Sequence, residues 1–352
     1  VADATGASDD INEFSSFEND MEGWSASGTD LGADTWLITR SQEIAKDGTS
    51  SLKFELDNSN DAGKIWIERP FVVERNQIYQ VSVEYAIASR EFSSITAFTI
   101  ITGILLKSPR TRGDLIPAFK DDTNNVDNSD VSGFKWRNRK YEFTVRADDQ
   151  GTLYAVIGIW GTFEGSKTYY FDSVRVTLTK KPQGSEFYSF ENDMEGWTPH
   201  AVDLELSNDS IDWSIARSQD IWEDGAASVK FDLNNLNDNG KIWIERPFSV
   251  EPKKKYKISV DYAFHSNDCG DSPRFKIITG VFRKQPQSGD DLVDAFQGKT
   301  TGCVWGWLHK SYEFTVKSKK SDMLYVVIGI RGTEQAHRTY NLDSVCVTVT
   351  KK

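Results

Sequence analysis

"YQVSVEYA" at 79–86 alternates apolar and polar letters without a break. Successive side chains of an extended strand point to opposite faces. Tyr79, Val81, Val83 and Tyr85 therefore share one face, and Gln80, Ser82 and Glu84 the other. The same period of two recurs in "SLKFEL" (51–56), where Leu52, Phe54 and Leu56 alternate with Lys53 and Glu55, and in "YEFTV" (141–145). A strand with one wet and one dry face belongs to an antiparallel sheet packed on a core. Val, Ile, Thr, Tyr, Phe and Trp dominate these runs, as strands prefer. Asn/Asp/Gly clusters such as "DNSNDAG" (57–63) and "DDTNNVDNSDVSG" (121–133) punctuate them. The loop 57–63 is only loosely like a calcium-binding EF-hand loop. Ala62 stands where that loop needs glycine, and Leu236 breaks the later copy, so the segment reads as a hairpin turn.

Most of the chain is written twice. "EFSSFENDMEGW" (13–24) returns as "EFYSFENDMEGW" (186–197), and "DGTSSLKFEL" (47–56) as "DGAASVKFDL" (224–233). "LYAVIGIWGT" (153–162) returns as "LYVVIGIRGT" (324–333), and "GKIWIERPF" (63–71) returns unchanged at 240–248. The spacing of about 170 residues is a whole domain, far above the roughly 20–50 of a solenoid repeat. The expected organisation is an N-terminal tail 1–12, a first domain 13–180, a linker "KPQGS" at 181–185 and a second domain 186–352. No long helical period occurs. Each copy supplies about eight or nine strands, which predicts an all-β chain of two tandem antiparallel β-sandwiches of jelly-roll type.

Composition narrows the partners. The 352 residues carry 41 Lys and Arg against 53 Asp and Glu, a net charge of -12. An acidic surface repels phosphate backbones and anionic membranes, so neither nucleic acid nor membrane insertion is expected. No apolar run reaches the roughly 18–20 residues of a membrane span. The opening "VADATGASDDINEF" lacks the basic and apolar segments of a signal peptide, and whether Val1 is a mature N-terminus stays open. The three cysteines, Cys269, Cys303 and Cys346, show no CxxC spacing. Cys269 and Cys303 fall in loop-like stretches, where either a bridge between them or free thiols is consistent with the sequence.

"FENDMEGW" near the start, "DGTSSLKF" after it, a strand into "YQVSV" and the closing "YYFDSVRV" resemble the calcium-containing jelly rolls of carbohydrate-binding modules. The resemblance covers nearly all of both copies. It implies a non-catalytic polysaccharide- or glycan-binding tandem, secreted or displayed at the cell surface. It also implies a structural calcium in each domain, joining the first strand, the "DG" turn and the last strand. Carried over, its ligands are Glu18, Asp47 and Asp172 in the first copy, and Glu191, Asp224 and Asp343 in the second. Calcium takes about six to eight oxygens from carboxylates and carbonyls and tolerates irregular geometry. On the blander reading, Asp47 and Asp224 are turn formers before glycine and the rest are surface acids.

Sugar binding needs an aromatic face for a pyranose ring and polar groups beside it for hydroxyls. In "LYAVIGIWGT" Leu153, Ala155, Ile157 and Ile159 face the core, leaving Tyr154, Val156, Gly158 and Trp160 on the opposite face. A glycine between two aromatics suggests a shallow dip flanked by rings. The second copy keeps Tyr325 and Gly329 but has Arg331 in place of Trp160. In the strand "KIWIE" Ile65 and Ile67 point inward, while Trp66 sits between Lys64 and Glu68; Trp243 is its counterpart. Pro70 should end regular pairing there, which suits an edge strand or a strand end. The candidate ligand-binding residues are thus Trp66, Tyr154, Trp160, Trp243, Tyr325 and Arg331; the competing readings are burial of the Tyr154 face under a loop or a partner and, for Trp66, packing over a neighbouring strand with Arg69 paired to a local acid. The four histidines, His200, His265, His309 and His337, all lie in the second copy, and no nucleophile or metal-protease motif occurs, so no catalytic residue is expected. The alternative to sugar binding is a structural extracellular protein, a filament, surface layer or adhesin that self-associates through calcium and exposed strand edges.

Overall fold

The computed structural model describes residues 10–32, 35–89, 98–120, 136–205, 212–266, 275–297, 307–319 and 323–352. Cys269 and Cys303 lie outside them; Cys346 is buried in the last strand. The chain divides between Lys181 and Pro182 into two compact units. Each unit carries its own core.

The first unit runs β1 (Ile11–Ser15), β2 (Ser25–Thr29), β3 (Thr35–Ser41), β4 (Ser51–Asn58), β5 (Lys64–Val72), β6 (Ile78–Ser89) and β7 (Phe98–Leu105). A short helix α1 (Arg112–Leu115) and a 3-10 turn (Ile116–Ala118) follow, then β8 (Phe119–Lys120), β9 (Arg137–Arg146), β10 (Thr152–Gly161) and β11 (Gly165–Lys180). One sheet has the order β3-β4-β11-β6-β9, with β1 pairing on β11; the other has the order β2-β5-β10-β7-β8. Every pairing is antiparallel.

The second unit repeats this with β12 (Ser185–Tyr188), β13 (Thr198–Val202), β14 (Trp213–Ser218), β15 (Ser228–Asn235), β16 (Lys241–Ser249), β17 (Lys255–Ser266) and β18 (Phe275–Phe282). A 3-10 helix (Asp290–Ala295) precedes β19 (Phe296–Gln297), β20 (Trp307–Lys317), β21 (Met323–Gly332) and β22 (Ala336–Lys351). Its sheets are β14-β15-β22-β17-β20, with β12 on β22, and β13-β16-β21-β18-β19. The all-β tandem sandwich follows from the period of two. Tyr79, Val81, Val83 and Tyr85 face Ile65, Ile67, Leu153, Ala155, Ile157 and Ile159 across the first core. The apolar alternation selects these faces, since a one-residue slip would move every one of them into water.

Two expectations change and a third is narrowed. Loop 57–63 is no hairpin turn: β4 and β5 belong to different sheets, so it carries the chain from one layer to the other. Asn58 holds that crossing, donating to the carbonyls of Gly161 and Phe163 and accepting from the Gly63 N–H. Of the two places expected for Pro70, an edge or a strand end, the structure gives the edge: β5 runs on to Val72 and Pro70 still pairs with Tyr154. The partner β2 reaches only as far as Glu68, so Pro70 lies on a free edge where a missing N–H costs nothing. Among the described residues each unit also has 11 strands rather than eight or nine, because β1, β2 and β8 are too short to show a period.

Candidate functional site

The outer face of the five-stranded sheet carries the aromatic candidates. Gly158 stands opposite Trp66 in the β5–β10 ladder. A Cβ at Gly158 would lie 2.3 Å from the Ile65 carbonyl oxygen and 2.6 Å from the Trp66 Cβ. The glycine therefore makes room for Trp66, which fills the expected dip. Trp66 is 1% exposed, packed with Ile101, Leu105 and Val156 and covered by Leu115 and Ala118. Its Nε1 donates to Glu68 Oε2 at 3.2 Å, and the other oxygen of Glu68 accepts from Ser108 Oγ at 2.5 Å. The segment covering the ring is pinned by a capping box, Thr111 with Asp114.

The second unit repeats the arrangement. Trp243 is 1% exposed, stands opposite Gly329 and lies under Leu292 and Ala295. His200 stacks on it at 5.3 Å between ring centroids and approaches Glu245 at 3.4 Å. Trp66 and Trp243 are therefore packing residues, not ligand-facing ones. The glycine opposite each lets the two strands lie close, since a Cβ there would strike the tryptophan's own Cα and Cβ. Arg69, next in the strand, reaches Glu13 at 3.2 Å.

Tyr154 and Trp160 remain half-buried on this face. The Trp160 ring lies 5.2 Å from Phe119, with the Lys64 ammonium 4.7 Å and the Arg112 guanidinium 5.2 Å from its centroid. Its Nε1 donates to the Asp61 carbonyl at 3.1 Å. Lys64 is itself buried, held by Asp30 at 2.7 Å and the Ala62 carbonyl at 2.6 Å, and burial lowers its pKa. Arg112 is exposed, so it is the group over the ring that an incoming ligand can displace. A fixed indole with cations and carbonyls at its border offers a π face for C–H groups and hydroxyl partners side by side. In the second unit the half-buried Tyr325 is kept, but Arg331 stands over Phe296 at 5.4 Å. The two faces thus differ in chemistry.

The candidate calcium ligands converge on the "DG" turns. Glu18 accepts from the Thr49 and Ser50 N–H groups at 2.9 and 3.0 Å. Asp172, fully buried at a bulge of β11, accepts from the Lys46 and Asp47 N–H groups at 2.7 and 3.0 Å. Glu191 and Asp343 do the same for Ala226, Ala227, Glu223 and Asp224. Gly48 and Gly225 are required. Both have positive φ, and a Cβ would sit 2.4 Å from Glu18 Oε1 or 2.3 Å from the Glu191 carboxyl.

Two residue pairs escaped the sequence reading. Arg40 donates to the Phe17 and Glu18 carbonyls, as Arg217 does to those of Phe190 and Glu191. Glu22 accepts from the Ser16 N–H, whereas its counterpart Glu195 has a buried Oε2 with no hydrogen-bond partner among the described residues. The signal was available in letters shared by both copies, "RSQ" and "DMEGW".

These acids fit an oxygen-seeking cation better in the second unit. Asp224 is desolvated and faces Glu223, Glu191 and Glu195, which together push its pKa up to about 7. Burial, and then Asp224, raise Asp343 well above the carboxylate range. In the first unit Asp172 is raised by burial, while Glu18 is lowered by its bonds to Thr49. Among the described residues no three carboxylate, histidine or cysteine side chains already converge as a metal-ligating group. Any calcium site here would draw main-chain carbonyls as well, as calcium sites do.

The histidines do not gather. His309 approaches Glu223 at 2.7 Å and His337 Asp232 at 2.6 Å, while burial pulls His265 down to about 4.

No family model and no curated protein matches the chain. Among solved structures it is similar to the N-terminal CBM22-1-CBM22-2 tandem domain of Paenibacillus barcinonensis Xyn10C, at 16% identity and TM-score 0.33, covering 100% of both chains. It is similar to the CBM22-1 xylan-binding domain of the same protein at 16% identity and TM-score 0.30, covering 48% of this chain and 95% of that one. The K1 cleaved adhesin domain of Lys-gingipain from Porphyromonas gingivalis matches at 10% identity and TM-score 0.28, over 47% and 97%. Likenesses this distant decide neither ligand nor family.

Proposed function

We propose that the chain is a non-catalytic, polysaccharide-binding tandem whose first unit holds sugar on the outer face of its five-stranded sheet. The observation that carries this reading is Trp160. It is a half-buried indole, tied by its N–H to Asp61 and framed by Phe119, Lys64 and the displaceable Arg112. A pyranose laid on that ring would replace the Arg112 guanidinium. Its hydroxyls would then reach the exposed Arg112 donors. Tyr154 extends the face along β10. Arg331 in place of Trp160 makes the second unit a different or weaker binder on the same face. On this reading the chain is secreted or displayed at the cell surface.

In each unit a structural calcium would be held by the acids around the "DG" turn: Glu18, Asp47 and Asp172 in the first, and Glu191, Asp224 and Asp343, helped by Glu195, in the second. The ion would supply positive charge where Asp224 and its neighbours now repel. Affinity electrophoresis through gels containing single polysaccharides tests the binding reading, with Trp160→Ala as the discriminating variant. Retardation in at least one gel, lost in the variant, supports it; no retardation in any gel defeats it.

A further inference from the structure

The second unit has a basic end that the first lacks, although the whole chain is acidic. Lys253, Lys254 and Lys255 precede and open β17; Lys317 and Lys319 close β20; all five are exposed. Lys255 and Lys317 are direct partners in the β17–β20 ladder, and the Lys253 N–H donates to the Lys319 carbonyl across the same end. Like charges placed directly opposite destabilise a strand pair. None of the five makes an ion pair among the described residues. The nearby acids are engaged elsewhere: Glu251 with Lys351 at 2.7 Å, and Glu313 with Lys257 at 2.5 Å. At the matching places the first unit has Asn76, Gln77, Ile78, Arg146 and Asp148.

Of these lysines, Lys319 lines a cleft of about 900 Å³ between the end of β18 and the end of β20. Phe282, Pro286 and Val316 supply apolar wall, while Arg283, Lys284 and Lys319 supply cations. Arg283 is positioned by donating its Nε–H to the Lys317 carbonyl at 2.8 Å. The one acid of the lining, Asp291, accepts from the Gln287 and Ser288 N–H groups at 2.9 and 3.0 Å and makes no ion pair among the described residues. In the first unit Leu106 replaces Arg283, and Lys107, the counterpart of Lys284, is neutralised by Asp114 at 2.6 Å.

We infer that this cleft binds an acidic polysaccharide, a chain bearing uronate carboxylates. A sugar ring would lie against Phe282 and Pro286, and the carboxylates would reach Arg283, Lys284 and Lys319. Lys253, Lys254 and Lys255 would continue the positive track along the polymer. An unbalanced cluster of cations on a chain of net charge -12 selects against neutral glycans by affinity. It also falls off with salt, because exposed charges are screened over about 8 Å at physiological ionic strength. The inference deepens the carbohydrate-binding reading and rests on it, but uses a different unit and different residues.

The test is affinity electrophoresis of the full chain in polygalacturonate, in the same polymer fully methyl-esterified, and in a neutral xylan. The expected result is retardation by polygalacturonate that weakens about tenfold in Lys284→Gln/Lys319→Gln, weakens with added salt, and is absent from the methyl ester. Arg75→Gln/Arg146→Gln, at the matching end of the first unit, should leave it unchanged. No polygalacturonate binding beside intact Trp160-dependent binding of a neutral glycan overturns this inference alone. Equal binding of the methyl ester, or insensitivity to the lysine substitutions, also overturns it. Equal binding of a single-stranded DNA oligonucleotide reassigns the patch to unselective polyanion binding. Loss of every polysaccharide interaction removes both readings.

Discussion

Trp66→Ala separates packing from recognition on the outer face. Trp66 is 1% exposed, stands opposite Gly158, and is roofed by Leu115 and Ala118. Truncating a fully buried tryptophan costs about 3–5 kcal/mol, from lost transfer energy plus the cavity left behind. The substitution also removes the indole donor to Glu68, although that carboxylate keeps its bond from Ser108. In a domain of this size one kcal/mol moves the midpoint by about 2–4 °C, so the first unit should melt roughly 6–20 °C lower. Scanning calorimetry of the full chain is the assay, because the second unit serves as an internal reference whose transition should not move. A midpoint unchanged within about 2 °C, combined with lost polysaccharide binding, would refute the packing assignment and return Trp66 to the ligand.

Three further outcomes follow from the geometry. Calcium at about 100 times its dissociation constant should stabilise a unit that binds it by about 2.7 kcal/mol, with chelator reversing the shift. The larger effect is expected in the second unit, where Asp224 faces three other acids. A melt that neither calcium nor chelator moves would remove the metal from the account. Gly225→Ala should destabilise the second unit by about 1–3 kcal/mol, since it forces an L side chain at positive φ into the Glu191 carboxyl; it should also abolish the calcium response of that unit. Full stability with an intact response would refute the requirement. In calcium-free protein, two groups of the second unit pull against each other with pH. Asp224, raised to about 7, contributes stability that is complete below about 4 and is lost as pH rises through 7. His265, lowered to about 4, contributes stability that is complete above about 6.5 and is lost as pH falls towards 4. His265→Gln should therefore steepen the loss of stability between pH 4 and 7, and calcium should flatten it. An unchanged slope in the variant would contradict the assignment to His265.

Much of the fold was legible because burial follows the period of two. Leu153, Ala155, Ile157 and Ile159 point into the core as their alternation requires. The acids named from the family resemblance lie against the "DG" turns, Glu18 and Asp172 in the first copy and Glu191 and Asp343 in the second. The outer face was harder to read. Alternation says that Trp66 leaves the core side, but not that a distant segment returns to cover it. That segment, "SPRTRGDLIPAF" (108–119), shows no strand period; only the Thr111–Asp114 spacing marks its cap. The role of Gly158 depended on register, since only pairing with Trp66 explains why a side chain cannot fit there. Loop 57–63 failed as a hairpin because turn composition is the same whether a chain returns to its own sheet or crosses to the other. The cleft beside Lys319 also needed the fold, since β18 and β20 are far apart in sequence.

The most direct test of the central claim is retardation of Trp160→Ala, beside the parent chain, in a panel of polysaccharide gels. Trp160 is only half-buried, so its removal should leave the first unit folded, with its calorimetric transition in place. Losing a stacking surface worth about 1.4 kcal/mol should weaken retention roughly tenfold. A parent chain retained by at least one polysaccharide, with the variant released and still folded, is the predicted result. Equal retention of the two proteins, or passage of the parent through every gel, would contradict it.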